Sequence, residues 1–288
     1  MTATQGTTNI ISSIMQQRHM ELTMKIEEFL TKHPIFTIDE WKEYLASKGS
    51  EKQNTRWNLL AYHQDKGRIL QIRRGLYATV PAGSSPDSYQ VDPFLVAAKL
   101  KPDSVLALHT ALEFHGKAYS TFKRLTYTSA KRSAPLKYQS HEYMRLSEQL
   151  AFRKNLVGVE TVLRSYIEVR VTSFERTLVD VLHRPDLSGS WEEIWRSLGS
   201  IEYFDIEQVI KYVKVLKNAT TAARVGFFLD QHKDALLLDN SWIAPLLRLA
   251  PRQPHYMDRL NRKDCKLIKD WNLMVPTKIL DRSWDELS

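Results

Sequence analysis

The chain has 288 residues, of which 43% are hydrophobic and 26% charged, which is typical of a globular protein with two or three domains. Its net charge of +8 permits a nucleic-acid partner without requiring one. The single cysteine, Cys265, excludes an intramolecular disulfide, and no apolar run reaches the length of a membrane span. The polar start, residues 1–20, predicts a flexible tail rather than a secretory signal. We therefore expect a cytoplasmic protein without a membrane partner.

Two helices are predicted first. The segment Glu21–Lys32 has apolar residues at helical spacing and is followed by Pro34, which ends the helix. Thr37 and Glu40 then have the spacing of a capping box, with Thr37 as N-cap. The second helix should end at Lys48 and Gly49, since glycine commonly follows the last turn of a helix.

A third helix is predicted from about Glu51 to Lys66, because Ser50 and Gln53 repeat the capping-box pattern. We expect it to pack on the first two helices through three apolar side chains, Trp57, Leu60 and Ala61. The short connection to the second helix is the one that a helix-turn-helix requires.

A basic hairpin is predicted directly after the third helix. Two short strand-like runs between Gly67 and Val80 flank Arg73, Arg74 and Gly75, and the glycine suits a tight turn. Helices followed at once by a basic hairpin predict a winged helix-turn-helix. Its DNA-contacting residues would be Lys52, Gln53, Asn54, Thr55 and Arg56 on the third helix and Arg68, Arg73 and Arg74 on the hairpin. The alternative is that the basic residues form an ordinary solvated helix face.

The sequence that follows the hairpin and the linker predicts a larger α+β domain. A helix should begin at Asp92–Pro93 and reach Leu100, and another should follow Asp103 or Ser104 and end at His115–Gly116. The predicted strands are Arg124–Ser129, Tyr143–Leu146, Leu156–Leu163 and Ile167–Val171. The predicted helices after them are Phe174–Leu182, Trp191–Leu198, Ile206–Lys217 and Ala222–His232. Strands followed by helices favour an α+β fold over a regular βαβ alternation.

The predicted organisation therefore has five parts. Residues 1–20 form a tail, 21–82 a winged helix-turn-helix domain, 83–90 a linker by their Pro, Gly and Ser content, 91–247 an α+β domain with a helical C-terminal part, and 248–288 a basic extension without clear periodicity. Positive charge is concentrated in 52–74 (+5), 117–154 (+7) and 248–282 (+5). The segment 117–154 could be a second nucleic-acid surface, a face for an acidic partner or a solvated surface.

No catalytic signature is found. Phosphate-binding glycine loops, a nucleophile elbow and zinc-ligand spacings are absent from the sequence. His109 and His115 are expected to be hydrogen-bonded or capping histidines rather than metal ligands. Glu175 is expected to form a structural salt bridge with Arg176 or Arg184 rather than to act in catalysis. We therefore expect neither an enzyme nor a bound cofactor.

Three passages together resemble a known family. They are the hairpin GRILQIRRGLY at 67–77, DPFLVA at 92–97 with LHTALEFHG at 108–116, and VTSFERTLVDVL at 171–182 followed by Arg184–Pro185 and residues 189–194. Their order and spacing resemble the AbiEi-type antitoxins of AbiE (type IV) toxin–antitoxin systems over roughly residues 20 to 200. The chain departs from that pattern at Ser188-Gly189-Ser190, where a glycine pair is common, and beyond Leu247.

The resemblance implies a bacterial protein with two functions in phage defence. The winged helix would bind inverted repeats in its own promoter as a repressor, and the second domain would counteract a nucleotidyltransferase-like toxin encoded beside it. The alternatives are a regulator of another operon that senses a ligand or has no toxin partner, and a nucleic-acid-processing enzyme that uses the winged helix for targeting.

Overall fold

The computed structural model describes residues 20, 23–48, 53–147, 152, 156–260, 262–282 and 284. Two compact units are formed. The first comprises Met1–Leu100 with Leu163–Glu168, and the second comprises Lys101–Val162 with Val169–Ser288. Both units mix helices with strands, so the predicted α+β class is confirmed.

Within the described residues, the first unit contains three helices, a small sheet and a fourth helix. Its elements are α1 (23–32), β1 (Ile35–Thr37), α2 (Ile38–Ser47), α3 (Gln53–Asp65), β2 (Ile69–Arg73), β3 (Leu76–Thr79) and α4 (Pro93–Lys99). The strands lie in the order β1-β3-β2, and both pairings are antiparallel.

Local capping explains where these elements begin. The Thr37 hydroxyl accepts a hydrogen bond from the Glu40 amide, and the Glu40 carboxylate accepts one from the Thr37 amide, so the predicted capping box of α2 is confirmed. Asp92 caps α4 ahead of Pro93, as predicted. The core of the unit is aromatic and aliphatic, with Phe29, Phe36, Trp41, Leu45, Leu60, Ile69 and Tyr77 buried in one cluster.

Several predicted boundaries of the first unit lie outside the described residues. These include the tail apart from Met20, Glu21 at the start of α1, and the segment Gly49–Lys52 between α2 and α3. The predicted linker 83–90 is part of the first unit: a Cβ at Gly67 would lie 2.5 Å from Cγ of Pro86. The contact-based boundary also differs from the prediction, because α4 groups with the first unit.

The second unit is built on a mixed sheet in the order β6-β7-β5-β4-β9-β8. Its strands are β4 (Val105–Leu106), β5 (Arg124–Thr128), β6 (Leu136–Tyr138), β7 (His141–Leu146), β8 (Val159–Arg164) and β9 (Ile167–Thr172). The tip of the β8–β9 hairpin, residues 163–168, groups with the first unit. β4 pairs antiparallel with β5 and parallel with β9, so it lies inside the sheet.

The helices of the second unit share one large core. They are α5 (His109–Phe114), α6 (Phe174–His183), α7 (Trp191–Gly199), α8 (Ile206–Leu216), α9 (Ala219–Gln231), α10 (Asn240–Leu247) and α11 (Thr277–Leu280), with a 3₁₀ turn at Pro185–Leu187. A second sheet, β10 (His255–Tyr256), β12 (Leu273–Pro276) and β11 (Cys265–Ile268), lies in the order β10-β12-β11.

The helix predicted after Asp103 or Ser104 was wrong at its start. Val105 and Leu106 form the short strand β4 instead, and α5 begins only at His109. The chain turns between them at Leu108, whose φ of +57° lies in the left-handed region that few residues other than glycine adopt. Both strand residues are fully buried in the sheet, so tertiary packing overrides their helical spacing.

The C-terminal section was predicted as an extension, but it contributes to the core of the second unit. Trp271, Leu273, Val275 and Ile279 are buried in the same cluster as α6 to α9. The strands of the second sheet, β6 and α10 were not predicted, and α9 begins at Ala219 rather than Ala222 because Asn218 caps it. Across the part of the chain that the structure describes, no helix has the length and apolar character to span a bilayer.

Candidate nucleic-acid interface

The buried side of α3 attaches this helix to the first unit. Leu60 and His63 are buried, and Leu59 packs partly against the same core. The indole of Trp41 on α2 donates a hydrogen bond to the backbone carbonyl of Arg56 at 3.0 Å. Burial lowers the pKa of His63, and the nearby charge of Arg68 lowers it further. A neutral imidazole therefore suits this position inside the unit.

The opposite side of α3 carries polar and aromatic side chains. The exposed residues are Asn54, Thr55, Trp57, Asn58, Ala61, Tyr62 and Asp65. Asn54, Asn58 and Tyr62 follow one another at intervals of four, so they lie along one face of the helix. An asparagine amide both donates and accepts, which allows a bidentate contact with the major-groove edge of adenine.

The packing side predicted for α3 was wrong in part. Trp57 is 42% exposed rather than buried, and Ala61 is exposed as well, whereas Leu60 is buried as expected. The ammonium of Lys42 on α2 lies 5.0 Å from the centroid of the Trp57 ring, so one face of this partly exposed ring lies against a cation and not against the core. The buried stripe follows residues 56, 59, 60 and 63, a helical spacing rotated from the predicted one.

The predicted DNA-contacting residues of α3 are placed as follows. Asn54 and Thr55 are exposed, and Arg56 is half-buried. Lys52 and the side chain of Gln53 lie outside the described part of the chain. Sequence reasoning missed Asn58 and Tyr62. A search for polar and aromatic residues four apart from Asn54 would have found them.

The hairpin is short and its tip lies close to α2. Arg73 pairs with Leu76, so Arg74 and Gly75 alone form the turn, and Gly75 adopts a φ of +82°. The Gly75 carbonyl accepts a hydrogen bond from the Ile38 amide at the start of α2, at 3.0 Å. The hairpin therefore ends where α2 begins and does not extend as a long wing.

The three predicted hairpin arginines have different surroundings. Arg68 lies before β2, at the opposite end from the turn, and forms an ion pair with Glu27 at 2.5 Å. Arg73 donates a hydrogen bond to the Leu100 carbonyl at 2.5 Å. Arg74 is exposed, and no residue in the described ranges forms an ion pair or a side-chain hydrogen bond with it. Arg74 is therefore the hairpin arginine most available to an external anion.

A buried polar cluster in the second unit surrounds His109. Nε2 of His109 lies 2.9 Å from Oε1 of Glu193, and Nδ1 lies 2.8 Å from Oε1 of Glu113. Glu193 also accepts hydrogen bonds from the amide and hydroxyl of Ser120 and from the hydroxyl of Ser197. Both ring nitrogens of His109 therefore face carboxylates of the protein.

The other predicted residues of the second unit also have internal partners. His115 Nε2 lies 2.9 Å from the Thr172 carbonyl. The predicted salt bridge of Glu175 with Arg176 or Arg184 was wrong: Arg176 pairs with Asp180 at 2.7 Å, and Arg184 pairs with Asp186. Glu175 instead accepts a hydrogen bond from the amide of Asp205, which caps α8. No group of three or more potential metal ligands was found among the residues that the structure describes.

Comparison with known proteins gives a fold but no family. No protein-family model matches the chain, and no curated protein matches it. Among solved structures, the crystal structure of the RV2827C protein from Mycobacterium tuberculosis superposes with a TM-score of 0.64 at 15% sequence identity. The match covers 91% of this chain and 94% of that one. At this identity the likeness concerns the fold alone.

Proposed function

We propose that the first unit is a winged helix-turn-helix that binds double-stranded DNA through α3, and that the protein represses its own operon at inverted repeats. The exposed face of α3 carries this proposal. A 13-residue helix is held by its buried side and presents two asparagines, a threonine and two aromatic rings to solvent. The order of three helices followed by a hairpin, and the exposed Arg74 at the turn, support the same function.

An ordinary solvated helix face would look different. It would carry mostly charged side chains, whereas the exposed side of α3 has uncharged hydrogen-bonding groups beside Trp57 and Tyr62. Trp57 and Tyr62 add exposed aromatic surface to this side of the helix, 42% and 54% exposed. Because the hairpin is short, α3 would supply most of the contacts with bases in this proposal.

We expect Asn58→Ala to reduce the ability of the protein to discriminate between DNA sequences. A bidentate contact between an amide and adenine contributes about 1–3 kcal/mol of discrimination, so the preference for the selected sequence over scrambled DNA should fall about 5- to 150-fold. The preferred sequence would first be selected from a random library with the wild-type protein. Affinities for that sequence and for scrambled DNA would then be measured by fluorescence anisotropy.

Asn240→Ala is the matched control, because Asn240 is an exposed asparagine at the start of α10 in the second unit. It should leave both affinities unchanged. Equal loss of affinity for the two DNAs in Asn58→Ala would mean that Asn58 does not contact bases. Failure of the wild-type protein to enrich any sequence would contradict the proposal itself.

We expect Arg74→Ala to lower the salt dependence of DNA binding without affecting folding. One lost phosphate contact should reduce the slope of log K against log salt by about 0.9. Arg73→Ala should behave differently, because its guanidinium satisfies the Leu100 carbonyl inside the first unit. It should lower the thermal midpoint, whereas Arg74→Ala should not. An unchanged slope in Arg74→Ala would remove the hairpin tip from the DNA interface.

We also propose that the second unit counteracts a nucleotidyltransferase-like toxin and catalyses no reaction. The resemblance of the three passages to AbiEi-type antitoxins supports this function. Several residues of those passages have internal roles, such as Arg176, which is buried, pairs with Asp180 and donates to the Val157 carbonyl. Contact with a toxin would therefore involve other, exposed residues.

Growth rescue tests the antitoxin function separately from repression. A toxin gene found beside this one would be placed under an inducible promoter and co-expressed with the full chain. The double variant Asn54→Ala/Asn58→Ala should still rescue growth, because the substitutions lie on the exposed face of α3 in the first unit. Absence of rescue by the wild-type chain would favour the alternative, a winged-helix regulator without a toxin partner.

A further inference from the structure

A wide basic cavity opens in the second unit at the N-terminal end of α9. Its volume is about 730 Å³, within the range of small-molecule sites in proteins. The segment between α6 and α7, the first turn of α9 and the loop after β10 form its walls. Four cationic side chains line it, namely Arg184, Arg224, Arg259 and Lys278.

Arg224 is the most unusual of these cations because it is buried without a carboxylate partner. It is 5% exposed, and its terminal nitrogens donate to the carbonyls of Leu182 and Met257 at 2.9 and 2.5 Å. Its Nε has no hydrogen-bond partner within the described ranges. Burial and the neighbouring charge of Arg259 lower its pKa to about 10. A guanidinium in this setting remains charged at neutral pH and is stabilised by any anion that enters the cavity.

The first turn of α9 adds a second source of positive potential. α9 has 13 residues, and its N-cap Asn218 accepts a hydrogen bond from the Thr221 amide at 2.9 Å. Thr220 and Thr221 line the cavity, while their hydroxyl groups form hydrogen bonds within the protein, with His255 and with Asn218. The first backbone amides of a helix point out of its N-terminal end, where the helix dipole also favours negative charge.

The pKa of His183, which lies in the cavity wall, is affected by the positive charges around it. Burial lowers the pKa of its imidazole, Asp180 opposes that effect, and the charges of Arg184, Arg224 and Arg259 lower it further. Three separate arginines thus disfavour another cation at this position.

The acidic residues of the cavity already have partners. Asp186 pairs with Arg184, and Asp258 accepts hydrogen bonds from the indole of Trp191 and from the Leu260 amide. Arg259 and Lys278 form no ion pair with any residue in the described part of the chain. Four cationic side chains therefore face two carboxylates, Asp186 and Asp258, and the side chains that line the cavity carry a net charge of +2.

We infer that this cavity binds the phosphate group of a small phosphorylated molecule. A phosphate carries enough charge to compensate several cations, and its oxygens accept hydrogen bonds from guanidinium, ammonium and helix N-terminal amide donors together. The cavity is larger than one phosphate ion, and the indole of Trp191 lies in its wall, so a nucleotide fits its size and chemistry better than free phosphate. This site is independent of the DNA-binding face of α3.

Titration calorimetry with the full-length protein tests the inference. The probes are orthophosphate, adenosine 5′-monophosphate, adenosine 5′-triphosphate and adenosine. We expect the phosphorylated probes to bind and adenosine not to bind. Competition by orthophosphate with weaker affinity would identify a nucleotide as the source of the phosphate, whereas equal affinities would identify the phosphate ion itself. Absence of binding by all phosphorylated probes, or equal binding of adenosine, would overturn the inference.

The double variant Arg259→Gln/Lys278→Gln removes two exposed cations of the cavity and should weaken phosphate binding about tenfold or more. Arg252→Gln/Lys269→Gln is the matched control, because it removes the same charge from exposed positions outside the cavity. Both should retain the wild-type thermal midpoint. Equal affinities of the two double variants would show that the cations of this cavity do not hold the ligand.

Discussion

Gly226→Ala should be one of the most destabilising single-methyl substitutions in the chain. Gly226 lies within α9, and a Cβ there would approach Cη2 and Cζ3 of Trp271 to 2.0 and 2.1 Å. Trp271 is 1% exposed, so its ring cannot move into solvent. Overpacking of this kind costs about 3 kcal/mol, which corresponds to a fall in thermal midpoint of about 6–12 °C.

Gly199→Ala is the control for this substitution. Gly199 ends α7, and a Cβ there would meet its nearest neighbour, Nε2 of His232, at 3.4 Å, an ordinary contact. Its effect should stay within about 1 kcal/mol, since alanine also favours the helix. Trp271→Phe should partly rescue Gly226→Ala, because a smaller ring leaves room for the methyl group. Additive losses in that double-mutant cycle would show that the clash with Trp271 is not the cause.

The helix starts and the turn that are determined by residues close together in the sequence could be predicted. The capping box of Thr37 and Glu40 and the Asp92–Pro93 start of α4 are complete within a few residues, so each could be recognised without knowledge of the fold. The turn at Arg74 and Gly75 was predictable for the same reason, because glycine supplies the positive φ that the turn needs.

Elements that depend on distant contacts could not be predicted in the same way. Val105 and Leu106 become a strand because β5 and β9 lie on either side of them. The section around Trp271 was predicted to be an extension because its strands are short and show little alternation of apolar and polar residues. Trp271 nevertheless packs on Gly226 of α9, which lies 45 residues earlier in the sequence. These elements are stabilised by contacts with residues far away in the sequence, and the local pattern of residues does not reveal such contacts.

In the candidate interface, the position of the helix could be predicted from the sequence, but the side that it exposes could not. The position of α3 followed from its place between a capped helix and a hairpin, but the side of the helix that faces solvent depends on Trp41 and the rest of the core. The spacing predicted a buried stripe through Trp57, Leu60 and Ala61, whereas the core buries Leu60 and His63 and packs partly against Leu59. This packing exposes Trp57 and places Asn58 on the outer face.

The cluster around His109 joins two passages that the sequence analysis singled out, 92–116 and 171–194. His109 belongs to the first of these and Glu193 to the second, and the fold brings them together across 84 residues. The ring of Phe122 stacks on His109 with centroids 3.6 Å apart and 5° between the planes. The fold therefore joins two passages that are distant in sequence in one buried cluster.

Glu193→Ala should accordingly destabilise the second unit severely. The substitution would remove the acceptor for His109, for the hydroxyl of Ser197 and for both donors of Ser120, all of them buried or partly buried. Removing one partner from a buried charged network costs about 3–5 kcal/mol. Glu192→Ala is the matched control on the same helix: its carboxylate is 40% exposed and pairs with Arg196, so its loss should cost about 1 kcal/mol or less.

The pH dependence of Glu193→Gln should identify the ionised carboxylate as the stabilising form. Burial alone raises the pKa of Glu193, but hydrogen bonds from Ser120, His109 and Ser197 outweigh it and hold the pKa below the usual 4.5. A pKa that is lower in the folded than in the unfolded chain stabilises the fold above the unfolded value, and that contribution is lost as the pH falls through the folded one. Urea unfolding of the wild type and Glu193→Gln should therefore show a gap in free energy of unfolding that is constant from neutral pH down to about 4.5 and shrinks below it. A gap of the same size on both sides of that pH would mean that Glu193 stabilises the cluster by shape and hydrogen bonding rather than by its charge.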